Sequence, residues 1–300
     1  MLQQAAAHGR IRFSYAEPDQ SLARRSVINA VETLGGRKRL ADLYNRYVAA
    51  PRAYGDFFDA AIELLELDVR YPMEQLAKIP VDGPVLFIAN HPYGVIDGLV
   101  LIWLARKARP DIKVLTHKVL CQAPEAREHL LPIDFSTDPG ALANNVHSRR
   151  EALRHLQNGG AIGIFPAGAV SASPAALHGP AVDIAWHPFA AKLSMLSKAT
   201  VVPIYFAGQN SRIFQLASHL SYTWRLSLFF WETARRIGTA LDVAVGDPIA
   251  FEDLDGNVGR EKLLSELRHR TYDLAATLVT EPKKRAHPDQ EYKFPKHFKL

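Results

Sequence analysis

The sequence predicts an α/β fold in which a mixed, mainly parallel sheet is flanked by helices and preceded by an N-terminal helical region. From residue 84 onward, short apolar runs alternate with longer segments of helical periodicity, a pattern typical of βαβ units. The apolar runs are almost continuous, as expected for strands that are covered on both faces of a sheet. A chain of 300 residues with 48% hydrophobic residues can bury a large core. We therefore expect one main α/β domain with helical additions.

Residues 1–80 are predicted to form the helical region. Ser21 is a candidate N-cap for a first helix that ends at a Gly-Gly pair, and a second helical segment stops at Pro51. Residues 54–71 carry so many apolar side chains that we expect a largely buried helix there. A stretch with three prolines and a glycine, residues 72–84, marks the boundary with the next region.

Residues 81–255 are predicted to form the α/β core. One of its helices begins at Asp97, which is well placed as an N-cap, and another begins at Ser148, which has capping-box spacing to Glu151. The strands are expected in the segments VLFIAN, IKVLT, LLPIDF, AIGIFP, TVVPIYF and ALDVAVGDPIAF. Residues 256–300 are predicted to contain an amphipathic helix and a basic, loosely ordered tail.

Composition excludes several classes of protein. The single cysteine, Cys121, cannot form an intramolecular disulfide bond or a cysteine cluster for zinc. His178, Asp183 and His187 do not have the spacing of a zinc site, so we expect no bound metal. The N-terminus lacks the apolar segment of a signal peptide, and no apolar run is long enough to span a bilayer. The net charge of +5 and the pI of about 9.2 favour an anionic partner, but they fit an ordinary basic soluble protein equally well.

A histidine and an aspartate stand between two apolar segments. His91 follows the first predicted core strand, and Asp97 opens the next helix. In open α/β sheets, functional groups gather at the carboxyl ends of strands. A neutral imidazole at such a position can take a proton from a hydroxyl group. A carboxylate that accepts a hydrogen bond from the other ring nitrogen fixes the tautomer and stabilises the imidazolium.

The alternative for this pair is that Asp97 only caps the helix and His91 is an ordinary turn residue. The loop between them contains no serine or cysteine that would serve as a nucleophile. A catalytic pair would therefore activate a hydroxyl group of the substrate rather than one of the protein.

Three motifs, FIANHPYGVIDG, GIFPAGAVS and TVVPIYFAGQNS in this order, resemble the glycerophospholipid acyltransferase family. The resemblance covers roughly residues 75–250. It is closest to a hemolysin-like bacterial branch of lysophospholipid acyltransferases that includes ornithine-lipid acyltransferases. It implies that His91 is the general base, that Asp97 orients it, and that an acyl group moves from acyl-CoA or acyl-carrier-protein to the hydroxyl of a lysolipid. It implies neither a covalent acyl-enzyme nor a metal or other cofactor.

The motifs depart from the usual family pattern at two points. Five residues separate His91 from Asp97, where the family usually has four, so the loop must absorb one extra residue. The block that usually reads Phe-Pro-Glu-Gly-x-Arg-Ser and binds the phosphate of the acceptor reads FPAGAVS here, at residues 165–171. Because neither alanine nor valine can bind phosphate in the bidentate manner of arginine, we expect an acceptor other than lysophosphatidic acid.

Substrate binding is assigned by this resemblance and by position to Phe165, Pro166, Gly168, Ser171 and Arg212. Gly168 and Ser171 offer backbone and hydroxyl donors to the head group of the acceptor, although the block is equally compatible with a simple strand-to-helix turn. Arg212 follows a later strand and is a candidate replacement for the missing arginine; a surface salt bridge is the alternative. Pro203 is expected at a sheet edge or a bulge, away from the chemistry.

The implied lipid substrate requires contact with a membrane surface. Candidate basic contacts, for which a solvated charged face is the alternative, are Arg24, Arg25, Arg37, Lys38, Arg39, Lys283, Lys284 and Arg285. We expect a cytoplasmic protein that is peripheral on the inner face of the cell membrane. No recognised nucleic-acid motif accompanies the charge, and the absence of a G-x-S-x-G elbow argues against a serine hydrolase. The alternative function is that of a non-catalytic lipid-binding or membrane-lytic, hemolysin-like protein.

Overall fold

The computed structural model describes residues 14–16, 20–134, 139–254, 259–278 and 286–298. Its strands are β1 Asp68–Arg70, β2 Val85–Ala89, β3 Lys113–His117, β4 Leu130–Ile133, β5 Ala161–Ile164, β6 Thr200–Phe206 and β7 Ala240–Val245. Its α-helices are α1 Leu22–Leu34, α2 Arg37–Ala49, α3 Pro51–Tyr54, α4 Phe57–Leu64, α5 Met73–Leu76, α6 Val95–Arg106, α7 Pro139–Gln157, α8 Phe189–Ser197, α9 Arg212–Leu220, α10 Tyr222–Ser227, α11 Phe229–Arg235 and α12 Arg260–Asp273.

The seven strands form one sheet in the order β1-β7-β6-β2-β5-β3-β4. The pairs from β6 to β4 are all parallel, whereas β7 runs antiparallel to β6 and β1 runs parallel to β7. The sheet is therefore mixed and mainly parallel, as the alternation of apolar runs and helical segments predicted. The carboxyl ends of β2, β3, β4, β5 and β6 all lie at one edge, where the connecting loops meet.

Helices cover both faces of the sheet. Alternate residues of β2 belong to separate cores, because successive side chains of a strand point to opposite faces. Val85, Phe87 and Ala89 pack with α6 and the helices of the N-terminal region, which we call the first face. Leu86 and Ile88 pack with α7, α8 and α12, which we call the second face.

The N-terminal region contributes a strand that the sequence did not predict. Helix α4 ends at Leu64, and Glu66 adopts a left-handed conformation with φ of 51°. The chain then pairs as β1 with residues 240–242 of β7. The predicted helix over residues 54–71 was therefore wrong at its end, because a partner strand remote in sequence decides the conformation there. The domain boundaries at residues 80 and 255 stay a prediction.

Two predicted helix starts were also wrong. Helix α6 begins at Val95, so Asp97 lies inside its first turn and is not the N-cap. Helix α7 already begins at Pro139, and the Ser148 hydroxyl donates to the carbonyl of Pro132 at 2.6 Å instead of capping. Serine tolerates a mid-helix position when its hydroxyl finds a carbonyl partner in this way.

Pro203 lies in β6, between β7 and β2, rather than at an edge of the sheet. Its ladder to β7 contains a bulge: Ile204 faces Val245, whereas Val201 bridges to Ile249, one residue beyond the regular register. The absent N–H of proline is tolerated at such an interruption. The bulge that the sequence predicted is present, and the alternative edge position is not.

Part of the C-terminal tail is packed against the core, which corrects the expectation of a loosely ordered segment. Tyr292 is buried, and the Arg268 guanidinium donates to the carbonyls of Pro288 and Gln290 at 2.7 and 2.8 Å. The basic residues 283–285 lie outside the described residues. Among the helices that the structure describes, none combines the length and apolar character that a membrane span requires.

Candidate active site

The loop after β2 is fixed to the neighbouring strand by Asn90. The Asn90 amide donates to the carbonyl of Phe206 at 2.9 Å and accepts from the Phe206 N–H at 2.7 Å. Phe206 is the last residue of β6. The next residue in the chain, His91, is thereby held at the carboxyl edge of the sheet, between the two central strands.

His91 and Asp97 lie within hydrogen-bonding distance. The His91 Nδ1 atom is 3.0 Å from Asp97 Oδ2. The Asp97 side chain is fully buried, whereas the His91 ring retains 18% exposure. No described residue bonds to Nε2 of His91, so this nitrogen is available to a bound molecule. The expected pairing of ring and carboxylate is therefore present in the geometry.

Three N–H groups converge on one oxygen of Asp97. Besides the His91 ring, the backbone N–H groups of Tyr93 and Gly94 donate to Oδ2 at 2.7 and 2.9 Å. Burial raises the pKa of the Asp97 carboxyl, and the hydrogen bonds from His91, Tyr93 and Gly94 act in the opposite direction. The N-terminus of α6 also favours the ionised form.

A turn at Gly94 precedes α6, between His91 and Asp97. Gly94 has φ of 82°, a conformation that L-residues with a side chain rarely adopt. A Cβ atom at this position would also lie 3.0 Å from Cγ2 of Val170. The turn lets the chain fold back so that Asp97 reaches His91.

The FPAGAVS block lies beside the His91 ring. Phe165 stacks on the ring with a centroid distance of 4.1 Å and an interplanar angle of 24°. Pro166 is buried, and its carbonyl accepts from the His187 N–H at 2.8 Å. Gly168 is exposed with φ of 64°, and a Cβ atom there would meet no atom within 4 Å. The block is a tight turn, but it is not the strand-to-helix turn of the alternative, because the next helix, α8, begins only at Phe189. Its exposed glycine borders open space.

Ser171 is bound to the His91 loop and points away from solvent. Its N–H donates to the His91 carbonyl at 2.7 Å, and its hydroxyl donates to Asp183 Oδ1 at 2.5 Å. Ser171 therefore holds the His91 loop from the buried side, and its hydroxyl is already engaged with a protein acceptor.

Asp183 is a residue of this site that the sequence analysis considered only as a metal ligand. Its fully buried carboxylate accepts from the Ser171 hydroxyl, from the His91 N–H at 3.2 Å and from Trp186 Nε1 at 2.8 Å. Its backbone carbonyl accepts from Arg268 at 3.1 Å. The sequence signal that could have revealed it is a charged residue inside the apolar run AVDIAW. A carboxylate buried in such a run requires hydrogen-bond donors around it.

We expect Asp183→Asn to lower kcat by about ten- to 100-fold with little change in KM, because misplacing a reactive group by about 1 Å can cost this much. Ser171 and Trp186 donate to different oxygens of Asp183. In the asparagine variant one of these oxygens becomes an NH2 group, which cannot accept, so one of the two hydrogen bonds is lost. We also expect a loss of about 1–3 kcal/mol in the free energy of unfolding. Steady-state kinetics and denaturant unfolding would measure the two effects.

The matched control for this variant is Asp111→Asn. Asp111 binds Arg109 and the N–H of Ala161, at the opposite edge of the sheet. It should lose stability without a comparable loss of kcat. Equal losses of kcat in the two variants would show that Asp183 acts only through stability.

Arg212 lies at the start of α9, exposed, with Nη1 donating to the carbonyl of Gly179 at 2.9 Å. It forms no salt bridge within the described part of the chain, and its predicted role in substrate binding stays a prediction. Arg225, which no motif of the sequence marks, is buried and donates to the carbonyl of Val170 and the hydroxyl of Ser218. Burial lowers the pKa of Arg225 to about 10. Through its bond to Val170, the guanidinium holds the FPAGAVS block from the buried side.

An apolar cavity of about 110 Å³ lies on the first face of the sheet. It begins at Val95 and Gly98 in the first turns of α6 and extends between Phe57, Phe58 and Phe230. Gly98 would gain a Cβ atom without meeting any atom within 4 Å. Apolar cavities of this order of size bind small apolar groups.

Across the described ranges, no group of three or more His, Cys, Asp or Glu side chains could hold a metal ion.

Comparison with known proteins identifies the family. A family model described as acyltransferase matches residues 47–280. The chain belongs to this acyltransferase family. The family resemblance carried by the three motifs, and the enzyme class that it implied, are thereby confirmed.

This acyltransferase is similar to two lyso-glycine lipid O-acyltransferases. It is 26% identical over 207 residues to that of Bacteroides thetaiotaomicron, covering 67% of this chain and 72% of the relative. It is 24% identical over 207 residues to that of Phocaeicola vulgatus, covering 67% and 71%. A solved structure, the 1-acyl-sn-glycerophosphate acyltransferase PlsC of Thermotoga maritima, aligns with a TM-score of 0.46 and 15% identity over 90% of this chain and 87% of that one.

Proposed function

We propose that this acyltransferase moves a fatty acyl group from a thioester donor, acyl-CoA or acyl-carrier-protein, to the hydroxyl group of a lysolipid. The observation that carries the proposal is the His91–Asp97 pair at the carboxyl edge of the sheet, with Nε2 of His91 unoccupied by the described residues. A histidine held in one tautomer by a buried carboxylate is the arrangement that general-base catalysis requires.

The chemistry follows from this arrangement. Nε2 of His91 takes the proton of the acceptor hydroxyl, and the oxygen attacks the carbonyl carbon of the thioester. The tetrahedral intermediate collapses with cleavage of the C–S bond, and the leaving thiolate takes the proton back from the imidazolium. Asp97 keeps Nδ1 protonated throughout and stabilises the transient positive charge. The nearby hydroxyl of Ser171 is engaged with Asp183, which argues against a protein nucleophile.

The acyl chain is assigned to the cavity on the first face. This cavity starts at Val95 and Gly98, which flank Asp97 in α6, and is lined mostly by apolar side chains. A saturated chain that leaves the thioester beside His91 would find apolar space there. Burial of each methylene group contributes about 0.8 kcal/mol.

The acceptor is proposed to be a lysolipid with an amino-acid head group, such as a lyso-glycine or lyso-ornithine lipid. The two similar proteins are named for a lyso-glycine lipid. The FPAGAVS block lacks the arginine that would favour a phosphate, and Gly168 borders open space beside the site. Gly168 and Arg212 are proposed to face this head group, whereas Ser171, whose hydroxyl donates to Asp183, holds the His91 loop in position.

We place the protein at the inner face of the cell membrane as a peripheral protein of the cytoplasm. Helix α1 supports this placement, since its first two turns expose the apolar residues Leu22 and Val27 and also carry Arg24 and Arg25. Basic residues near anionic lipid contribute roughly 1 kcal/mol each. The alternative of a non-catalytic, membrane-lytic protein is disfavoured by membership of an acyltransferase family.

The experiment is an acyl-transfer assay with purified protein and three acceptors: lyso-glycine lipid, lyso-ornithine lipid and lysophosphatidic acid. Acyl-CoA and acyl-carrier-protein are supplied as alternative donors. We expect ester formation with an amino-acid lysolipid at least about tenfold faster than with lysophosphatidic acid, given the value of a charge-assisted bidentate contact. Equal rates would overturn the head-group proposal. Leakage of vesicles without any ester product would favour the lytic alternative.

A further inference from the structure

A second concave site lies on the second face of the sheet. It is a cleft of about 480 Å³ between α7, α8 and the start of α12. The residues that characterise this basic cleft are Arg149, Arg150, Lys192, Arg260, His187 and Phe189. Its volume is in the range of sites for small molecules and cofactors.

The cations of the basic cleft have no ion-pair partner among the described residues. Arg150, Lys192 and Arg260 are exposed, and Arg149 is half-buried with its guanidinium 5.3 Å from the centre of the Phe189 ring. None of these four cations lies within 4.0 Å of a carboxylate in the described ranges. By contrast, Arg154 of α7 and Arg270 of α12 are both paired with glutamates. Four cations that line one cleft without a neighbouring carboxylate create a positive potential that attracts an anion.

The basic cleft is linked to the candidate active site by one turn of the chain. His187, which lines the cleft, donates its N–H to the carbonyl of Pro166 at 2.8 Å. The residue before Pro166 is Phe165, which stacks on the His91 ring. The FPAGAVS turn therefore lies between the cleft and the His91 ring.

We propose that the basic cleft binds the phosphate of a phosphopantetheine thioester, the acyl donor of the reaction. This inference rests on the proposed function. The phosphate lies among Arg150, Lys192 and Arg260, and the pantetheine arm passes the Pro166 turn. The thioester then reaches His91 and the acyl chain enters the cavity on the first face. The donor thus wraps around the carboxyl edge of the sheet.

The shape of the basic cleft favours a small anion over a surface of lipid or nucleic acid. The cations line a recess, whereas a bilayer or a duplex would meet residues that protrude. Apolar side chains of α7 and α8, among them Leu153 and Leu193, form the remaining wall. A phosphopantetheine phosphate is shared by acyl-CoA and acyl-carrier-protein, so the chemistry is the same for either source.

The test compares the cleft variant Arg150→Gln/Lys192→Gln with the control Arg154→Gln/Arg270→Gln, which removes the same charge from exposed ion pairs. Binding of CoA is measured by titration calorimetry, independently of catalysis. We expect the Kd of the cleft variant to rise at least about tenfold, because the variant loses two cations that would form charge-assisted hydrogen bonds to the phosphate. The Kd of the control should stay within about twofold, and the affinity of the unmodified protein should fall with salt.

Kinetic measurements then separate the contribution of the phosphate to donor binding from that of the rest of the donor. With acyl-CoA and with acyl-carrier-protein, the cleft variant should show a raised KM and an unchanged kcat. With acyl-N-acetylcysteamine, a thioester without phosphate, the cleft variant and the unmodified protein should behave alike. The donor with the lower KM in the unmodified protein identifies the physiological source.

Two results would overturn the inference: unchanged binding of CoA, or an equal rise in KM for the phosphate-free thioester. If only the carrier-protein KM changed while CoA binding did not, the cleft would recognise a protein surface and the phosphate proposal would be wrong. If no thioester were turned over by the unmodified protein, the proposed function would fail, and CoA binding would still decide the role of the cleft. Thermal unfolding of both variants checks that each is folded.

Discussion

Replacement of His91 by glutamine is expected to lower kcat for acyl transfer by about 10²- to 10⁴-fold, the range that a general base contributes. Glutamine can occupy the space of the ring and can accept or donate one hydrogen bond, but it cannot take a proton from a hydroxyl group. Because the ring is partly exposed and Asp97 keeps its bonds to two backbone N–H groups, the variant should remain folded. The measurement is ester formation from the acyl donor and the preferred lysolipid.

The control for this prediction is His269→Gln. His269 is a partly exposed histidine that pairs with Asp289 at 2.9 Å. It should retain full activity, which separates the loss of a base from the loss of any histidine. Full activity of His91→Gln would remove the central element of the proposed mechanism. Vesicle leakage that persists in His91→Gln would instead indicate a lytic function.

Asp97→Asn is expected to reduce kcat by about 10²- to 10³-fold, the usual cost of removing one group that stabilises charge in the transition state. The asparagine oxygen can take the place of Oδ2 and continue to accept from the His91 ring and from the N–H groups of Tyr93 and Gly94. It carries no negative charge, so it cannot stabilise the imidazolium that forms when Nε2 takes the proton of the acceptor.

The folded state of Asp97→Asn is expected to survive, because the side chain keeps its volume and its backbone bonds. The matched control is Asp247→Asn, which removes a carboxylate from an exposed ion pair with Lys78. Activity within twofold of the unmodified protein is expected for the control. A loss of less than about tenfold in Asp97→Asn would mean that Asp97 serves α6 and the loop rather than His91.

The basic cleft and the apolar cavity lie on opposite faces of the same sheet, and His91 lies at the edge between them. In the proposed binding mode, the charged end of the donor and its acyl chain lie on opposite faces of the sheet, and the thioester lies at the edge where the faces meet. One face offers cations and the other offers apolar space.

The sequence alone determined the local elements of this protein and the pair at its centre. Six of the strands coincide with the predicted apolar runs, five of them within the predicted bounds and β3 with one further residue, His117, because buried strands of such a sheet are short and mostly apolar. The pairing of His91 with Asp97 was also accessible, because both residues belong to one short connection. The motifs supplied the family.

Tertiary structure decided the features whose partners are far apart in the chain. Strand β1 exists only because β7 pairs with it, and Asp183 joins the site through bonds to His91 and Ser171 that no local pattern records. The basic cleft combines cations from three helices that only the packing of the second face brings together. Local periodicity fixes which residues are buried, whereas the choice of contact partners depends on burial and hydrogen bonding between elements remote in sequence.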